Sequence, residues 1–249
     1  MNMNSYSCFA VTDVLTPGLP SPDSTAGDAA RVLPSKQLRS EQARERLLQT
    51  GTRLLAAGGF DAVSIAQIAA ESGCSVGAFY QRFKNKEAYF EFLLDRVIDT
   101  VRAEAEQALT PERIRGLSLA QTIRLCVEHH IGVIHTHAGL IRAALSYSMH
   151  GSDDWQPIGA IGAWLNTHYI GLILQKTRHR DKAVAARQLR IGLQIIAGHL
   201  VNAATHENAF MPLNHPDLPH WLSHVVASCL AAKPPAAAPA PAAAPAPRR

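Results

Sequence analysis

Cysteine is scarce in this sequence, with only four residues among 249. Cys8, Cys74, Cys126 and Cys229 lie far apart, and no two of them form a CxxC pair. This spacing indicates neither a disulfide framework nor a zinc ribbon, because both need several closely spaced cysteines. We therefore expect a protein of a reducing compartment, the cytoplasm.

Long uninterrupted apolar runs are also lacking. The most apolar stretch, Ile158 to Leu174, carries Asn166 and His168 near its middle, where a bilayer would penalise polar side chains. Asp13 and Pro17 interrupt the first residues, and no basic segment precedes them, so a signal peptide is not indicated. The sequence predicts no membrane partner and no export.

Patterns of catalytic residues are missing as well. We find no nucleophile motif, no phosphate-binding loop and no paired carboxylates. All twelve histidines lie after Glu128, and four of them fall between His129 and His137. A metal-dependent hydrolase that uses Glu128 and these histidines stays open as an alternative, although no HExxH or Cys/His ligand spacing supports it. We expect no enzyme, no metal and no cofactor.

Charge of one sign is not in large excess. The chain has 24 Lys and Arg against 20 Asp and Glu, a net charge of +4 that is weak evidence for any partner. The excess is concentrated between Lys36 and Lys86, where eight basic residues stand against four acidic ones. This segment is compatible with a polyanionic partner.

Apolar residues recur at helical spacing through most of the chain, with hardly any strand pattern, so the predicted fold is all-α. The composition predicts a disordered arm over residues 1–37 and a flexible Pro/Ala-rich tail over residues 233–249. Between them we expect a domain over residues 38–88 and a larger helical domain over residues 89–232. The larger domain is predicted to contain helices over Leu117–Ile134, Ala138–Met149, Trp155–Gln175, Asp181–Asn208 and Pro219–Ala232.

The segment 38–88 has the helix caps and turn residues of a helix-turn-helix. A glycine pair at Gly58 ends the first predicted helix, and Ser64 caps the second. Gly73 turns the chain, Ser75 caps a short third helix, and Asn85 caps a long fourth one. Two short helices joined through a glycine at this spacing form a helix-turn-helix, whose second helix enters the major groove of DNA.

Residues Arg44 to Phe92 resemble the TetR/AcrR regulators. The resemblance lies in the pattern Ser64-Ile65-x-x-Ile68-Ala69-x-x-x-Gly73-x-Ser75-x-Gly77-x-Phe79-Tyr80-x-x-Phe83-x-x-Lys86-Glu87. It implies an amino-terminal three-helix DNA-binding domain, followed by a larger helical domain that binds a small molecule and dimerises. The implied partners are double-stranded operator DNA, a second copy of the chain and a small-molecule effector.

Four residues of this pattern are predicted to contact the phosphates of DNA. Ser64 and Ser75 stand at helix amino termini, where backbone NH groups and the helix dipole favour anions. Tyr80 offers a hydroxyl group and Lys86 an ammonium group, and both suit phosphate contacts.

Four further residues are predicted to meet the bases or let them approach. Val76, Ala78 and Gln81 are the candidates for base readout, by contacts with thymine methyl groups and a hydrogen bond to adenine. Gly77 has no side chain and lets the backbone come close to the duplex. Ala78 departs from the Ser or Thr that is usual in the family, and Cys74 departs from the usual Val.

The larger domain contains candidates for an apolar pocket with a few polar side chains. They are Ile123, Cys126, His130, Val133, Ile141, Tyr147, Trp164 and Tyr169. Such a lining predicts an apolar or aromatic effector.

Apolar residues in alternating steps of four and three predict a seam between helices. We expect this seam at a dimer interface, with burial inside one subunit as the alternative. Its residues are Ile161, Leu165, Leu189, Leu193, Ile196 and Leu200.

The resulting hypothesis is a ligand-responsive transcriptional regulator. It would act as a repressor that a small effector releases from a palindromic operator. A DNA-binding protein whose second domain is purely architectural, with a filled core and no cavity, is the other reading.

Overall fold

The computed structural model describes residues 36–148, 156–206 and 209–233. The chain divides into two units, residues 1–41 and 42–249, and of the first unit only residues 36–41 are described. The described segments fold into the helices α1 (Lys36–Ala62), α2 (Ile65–Glu71), α3 (Val76–Tyr80), α4 (Lys86–Ala108), α5 (Pro111–Ile114), α6 (Leu119–Ser148), α7 (Gln156–Lys176), α8 (Lys182–Thr205) and α9 (Leu218–Ala231). The all-α prediction is confirmed.

The two predicted terminal segments, 1–37 and 233–249, lie almost wholly outside the described residues. In the rest of the chain, the four predicted amino-terminal helices and the predicted helices from residue 155 onward correspond to observed ones. Helix α1 has its break at Gly59, where φ is 78° and ψ is 175°, and it continues beyond this kink to Ala62.

Two predictions about the helices are wrong. Helix α6 runs unbroken for 30 residues, where two helices were expected on either side of residues 135–137. The intervening His135, Thr136 and His137 cost little in a helix and contain no proline, so nothing there interrupts the hydrogen-bond ladder. The short helix α5 was missed because Pro111 was interpreted as a break. It is instead the first residue of α5, capped by Thr110 Oγ1, which accepts from Arg113 N at 3.2 Å.

Helices α1 to α4 enclose a first hydrophobic core that is rich in aromatic rings. Phe79, Tyr89 and Phe90 are fully buried in it. The Tyr89 hydroxyl donates to the Leu47 carbonyl oxygen at 2.7 Å, and burial raises the pKa of this phenol above its usual range. A side chain at Gly51 would collide with that hydroxyl, so glycine is needed there for α4 to pack on α1.

The first core also contains residues from the second half of α6. Leu140, Ala143, Ala144 and Tyr147 are buried against the aromatic cluster. The predicted boundary near residue 88 therefore does not coincide with a break in packing, because the first core also includes residues of α6. The domain boundaries themselves stay a prediction.

Helices α4 to α9 enclose a second hydrophobic core. The six residues predicted for a dimer interface lie in this core and are 8% exposed or less: Ile161, Leu165, Leu189, Leu193, Ile196 and Leu200. Their assignment to a dimer interface is therefore corrected, because side chains buried within one protomer cannot face another. At Gly192, α8 approaches α9 so closely that a Cβ would lie 3.2 Å from Val226 Cα.

Within the described residues, the structure contains no helix that is both long and apolar enough to cross a membrane.

Candidate nucleic-acid interface and adjoining cavity

The helix-turn-helix is built by α2, a four-residue turn and α3. Gly73 has a φ of 66°, the left-handed conformation that favours glycine. The chain reverses there because Cys74 N donates to Ala69 O at 2.9 Å and the Ser72 hydroxyl donates to the same carbonyl at 2.9 Å. The sequence therefore located the turn at the correct residue.

Ser64 and Ser75 cap α2 and α3. Ser64 Oγ accepts from Gln67 N at 3.1 Å, and Ser75 Oγ accepts from Ala78 N at 3.1 Å. Both residues are exposed, so each hydroxyl keeps its own hydrogen for donation to an anion outside the protein. Capping and phosphate contact are thus compatible roles for the same side chain.

One side of α3 is anchored and the other faces outward. Phe79 is fully buried, and its ring lies 5.1 Å from the ring of Tyr89. In contrast, Val76 is 42% exposed and Tyr80 is 54% exposed, although both are large apolar or aromatic residues. Gly77 lies on the same exposed surface. A short helix held by a core aromatic thus presents an uncovered face.

The two remaining base-readout candidates differ in exposure. Gln81 is exposed, whereas Ala78 is half-buried. The guanidinium of Arg82 donates to the Ala78 carbonyl oxygen at 2.6 Å, which keeps this side chain along α3. Because its side chain is longer and more exposed, Gln81 can reach a base edge more easily than Ala78 can.

Lys86 begins α4 and packs more closely than the sequence indicated. Its ammonium lies 4.2 Å from the centre of the Phe60 ring, in a cation–π contact. Partial burial lowers the pKa of this ammonium, while the nearby carboxylates of Asp61 and Glu87 act in the opposite direction. Lys84, two residues earlier, is exposed in the turn. Its charge belongs to the basic excess between Lys36 and Lys86, but no contact with DNA was predicted for it.

A cavity of about 450 Å³ lies between α4, α6, α7 and α8. Three of the predicted pocket residues line it: His130, Val133 and Ile141. Two residues assigned to the dimer seam, Ile161 and Leu165, also line it. The volume falls within the range of sites for small molecules.

The other predicted pocket residues lie elsewhere, which corrects their assignment. Ile123 and Cys126 are buried in the second core, away from the cavity. Tyr147 belongs to the aromatic cluster of the first core, with its ring 4.6 Å from the ring of Phe60.

Trp164 and Tyr169 also contact other partners. Trp164 stacks on His168 with the ring planes 8° apart. The Tyr169 hydroxyl lies 2.9 Å from His129 Nδ1, in the protein interior. Residue type alone could not distinguish these core positions from a cavity wall, because the wall depends on how four helices cross.

The described residues give no support to a metal centre at the clustered histidines. Among residues 36–148, 156–206 and 209–233, no three His, Cys, Asp or Glu side chains are arranged to hold a metal ion. Burial lowers the pKa of His129 and of His130 to about 4, with smaller contributions from His168 and His129 respectively. Both imidazoles are thus neutral at pH 7.

Comparisons with known proteins agree with this geometry. A family model described as bacterial regulatory proteins, tetR family, matches residues 47–92. Over 45 residues the chain is 53% identical to YerO, an uncharacterized HTH-type transcriptional regulator of Bacillus subtilis (strain 168). That match covers 18% of this chain and 16% of the relative. Both descriptions are of regulators and not of enzymes, so the hydrolase alternative falls away.

Solved structures share the fold over most of the chain. A TetR-family transcriptional regulator from Streptomyces coelicolor has a TM-score of 0.56 at 21% identity, covering 77% of this chain and 95% of its own. For GusR of Salmonella enterica the TM-score is 0.52 at 16% identity, with 80% and 98% covered. A regulator from Aquifex aeolicus VF5 gives 0.51 at 20% identity, with 75% and 98% covered. These likenesses concern the fold.

Proposed function

Because this chain belongs to the TetR family of bacterial regulatory proteins, we propose that it is a homodimeric transcriptional repressor of the cytoplasm. It binds a palindromic operator through α3 and leaves it when a small apolar or aromatic effector enters the cavity.

One observation carries this proposal: α4 belongs both to the helix-turn-helix and to the cavity wall. Tyr89 and Phe90, near its start, are buried in the first core against α1 and α3. Val97 and Val101, further along the same helix, line the cavity. Since a helix transmits displacement along its length, a ligand that moves the middle of α4 also moves the support of α3.

Helix α6 provides a second connection. Leu140 lines the cavity and is also buried in the first core. Near the end of α6, the Ser146 hydroxyl donates to the carboxylate of Asp61 at 3.0 Å. A ligand that favours another arrangement of α4 and α6 would change the spacing of two recognition helices, and operator affinity would fall by population shift. The cavity thus supports sensing over a purely architectural role for this domain.

We assign the phosphate contacts to Ser64, Ser75, Tyr80 and Lys86. Their positions support this assignment, since two are exposed helix caps, one is an exposed phenol and one is an ammonium at the start of α4. Val76, Ala78 and Gln81 would read bases, with Gly77 allowing close approach. The missing hydroxyl at Ala78 places more weight on DNA shape and methyl contacts.

The experiment that tests the function is fluorescence-anisotropy titration of the protein with its own promoter region and with a scrambled duplex. We expect sequence-selective binding that weakens steeply as salt rises, because phosphate contacts release counterions. Equal weak binding to both duplexes at every salt concentration would contradict the proposal.

The replacement Lys86→Gln is expected to weaken binding to both duplexes and to reduce the salt slope by about 1, since one phosphate contact is lost. The matched control is Arg113→Gln, which removes a charge on α5; the 23 residues of α4, about 35 Å in length, lie between the two positions. An unchanged slope with Lys86→Gln would remove this residue from the phosphate contacts.

We place the dimer interface on the outward faces of α8 and α9, in place of the buried seam. Ile191 and Ile195 on α8 are 50% and 52% exposed, and Trp221 on α9 is 54% exposed. The close crossing at Gly192 fixes the position of α8 relative to α9, so that their outward faces can form one continuous interface. Two helices from each subunit would then form a four-helix bundle about a twofold axis.

Replacing Ile191 and Ile195 together by Asp should weaken the dimer at least about a hundredfold, because unpaired carboxylates would be buried on association. Sedimentation velocity over a range of protein concentrations measures this change. Val76→Asp introduces one carboxylate on an exposed apolar position of α3 and is expected to leave the dimer intact. A double variant as dimeric as this control would refute the location of the interface.

A further inference from the structure

The wall of the cavity is apolar except for a few uncharged groups. Its polar side chains are His130 and His137 on α6, Asn166 on α7 and Gln194 on α8. No Asp, Glu, Lys or Arg is among the described residues that line it. A ligand with a formal charge would therefore lose its hydration without gaining an opposite charge.

Two atoms of this wall are buried without a hydrogen-bond partner. They are Nδ1 of His130, on α6, and Oδ1 of Asn166, on α7. The His130 side chain is only 3% exposed, so bulk water does not solvate it. Buried polar groups in folded proteins nearly always have partners, and a group from outside the chain can supply the partner that these two atoms lack.

The chemistry of these two atoms restricts the partner. An amide oxygen such as Asn166 Oδ1 only accepts, so the ligand has to supply a hydrogen. Neutral His130 has one nitrogen that donates and one that accepts, and burial of both His130 and His137 lowers the pKa of each imidazole. A hydroxyl group, which donates and accepts, matches both wall atoms.

We propose that the cavity binds an uncharged molecule with an apolar body and one hydrogen-donating group, a hydroxyl or an amide NH, which His130 and Asn166 recognise. This inference rests on the proposed function in taking the cavity for the effector site. It narrows the effector class by excluding carboxylates, sulfonates, amines and purely accepting ethers.

The test uses three probes with the same naphthalene body: β-naphthol, its methyl ether and the corresponding sulfonate. Isothermal titration calorimetry of the DNA-free protein at pH 7 measures the Kd of each. We expect β-naphthol to bind at least about tenfold more tightly than the ether, a ratio that corresponds to about 1.4 kcal/mol. The sulfonate should show no binding.

Two variants locate the recognising groups. Asn166→Leu and His130→Phe are expected to weaken β-naphthol about tenfold while leaving the affinity for the methyl ether unchanged. A general loss of structure would weaken both probes equally, and thermal unfolding of each variant shows whether the fold is retained. Loss of the difference between the two probes is the signature of a lost hydrogen bond.

The outcomes separate this inference from the proposed function. Sulfonate binding as tight as β-naphthol, equal affinity for the ether, or no probe with a Kd below about 1 mM would overturn the ligand class. Selective β-naphthol binding that leaves the operator complex intact in the anisotropy assay would keep the ligand class and refute the role of the cavity in release.

Discussion

Replacing Gly77 with leucine is expected to reduce operator affinity at least about a hundredfold, which corresponds to about 2.7 kcal/mol. Gly77 is exposed on α3 between Val76 and Tyr80, so a new side chain there would stand between the helix and the base edges. The folded protein itself has room for that side chain. The nearest atom to a Cβ at this position is Ser75 Oγ, at 3.8 Å, an ordinary contact distance.

Anisotropy titration with the promoter duplex measures the loss, and sedimentation and thermal unfolding check that dimer and fold are unchanged. The matched control is Gly171→Leu on α7, an exposed helical glycine with no atom within 4 Å of its Cβ position. This control should bind the operator normally. If Gly77→Leu binds as tightly as the control, α3 does not enter the groove along this face.

The helix-turn-helix was predictable because its determinants are local in sequence. The caps at Ser64 and Ser75 and the left-handed turn at Gly73 each depend on residues within a few positions of one another. The same holds for Asn85, whose Oδ1 accepts from Ala88 N at 2.9 Å. Sequence patterns of this range identified α2 and α3 and the starts of α2, α3 and α4.

The cavity was only partly predictable, since its wall depends on contacts between distant helices. His130 and Val133 were identified as parts of an apolar lining with a few polar side chains, but Cys126, chosen on the same ground, lies in the core. The cavity-facing residues of α4, such as Val97 and Val101, were missed because the candidates for the pocket came only from residues 123–169.

The prediction of a dimer seam was wrong for a related reason, since it too concerned contacts between distant helices. Periodicity shows that Leu189, Leu193 and Leu200 face a neighbouring helix, but it does not identify the molecule to which that helix belongs. The structure shows that the neighbour lies in the same chain, because α9 covers this face of α8. The interface that we propose instead rests on the opposite signal, the two exposed isoleucines Ile191 and Ile195 on the outward face of α8.

The contact between α1 and α6 is expected to depend on the absence of a side chain at Gly139. A Cβ there would lie 2.6 Å from Ala56 Cα and 2.7 Å from Ala56 Cβ, and it would collide with the Ala56 carbonyl oxygen. Since the obstruction is helix backbone, no side-chain rotation relieves it. The replacement Gly139→Ala should therefore separate the two helices and lower the free energy of unfolding by roughly 2–3 kcal/mol.

Gly132→Ala, one heptad earlier on α6, is the matched control. No atom lies within 4 Å of its Cβ position, and the residue is exposed. Because alanine is the better helix former, this variant should be more stable than the parent by roughly 0.5–1 kcal/mol. The same substitution in one helix is thus expected to have effects of opposite sign, as measured by urea unfolding at a fixed protein concentration.

The Gly139→Ala variant also tests whether α6 positions the DNA-binding helices. Tyr147 and Ser146, about two turns further along α6, contact Phe60 and Asp61 of α1. Displacement of α6 at Gly139 should disturb these contacts and lower operator affinity, while Gly132→Ala binds like the parent. Loss of stability with unchanged operator affinity would show that α6 supports the fold alone, leaving α4 as the route from the cavity to α3.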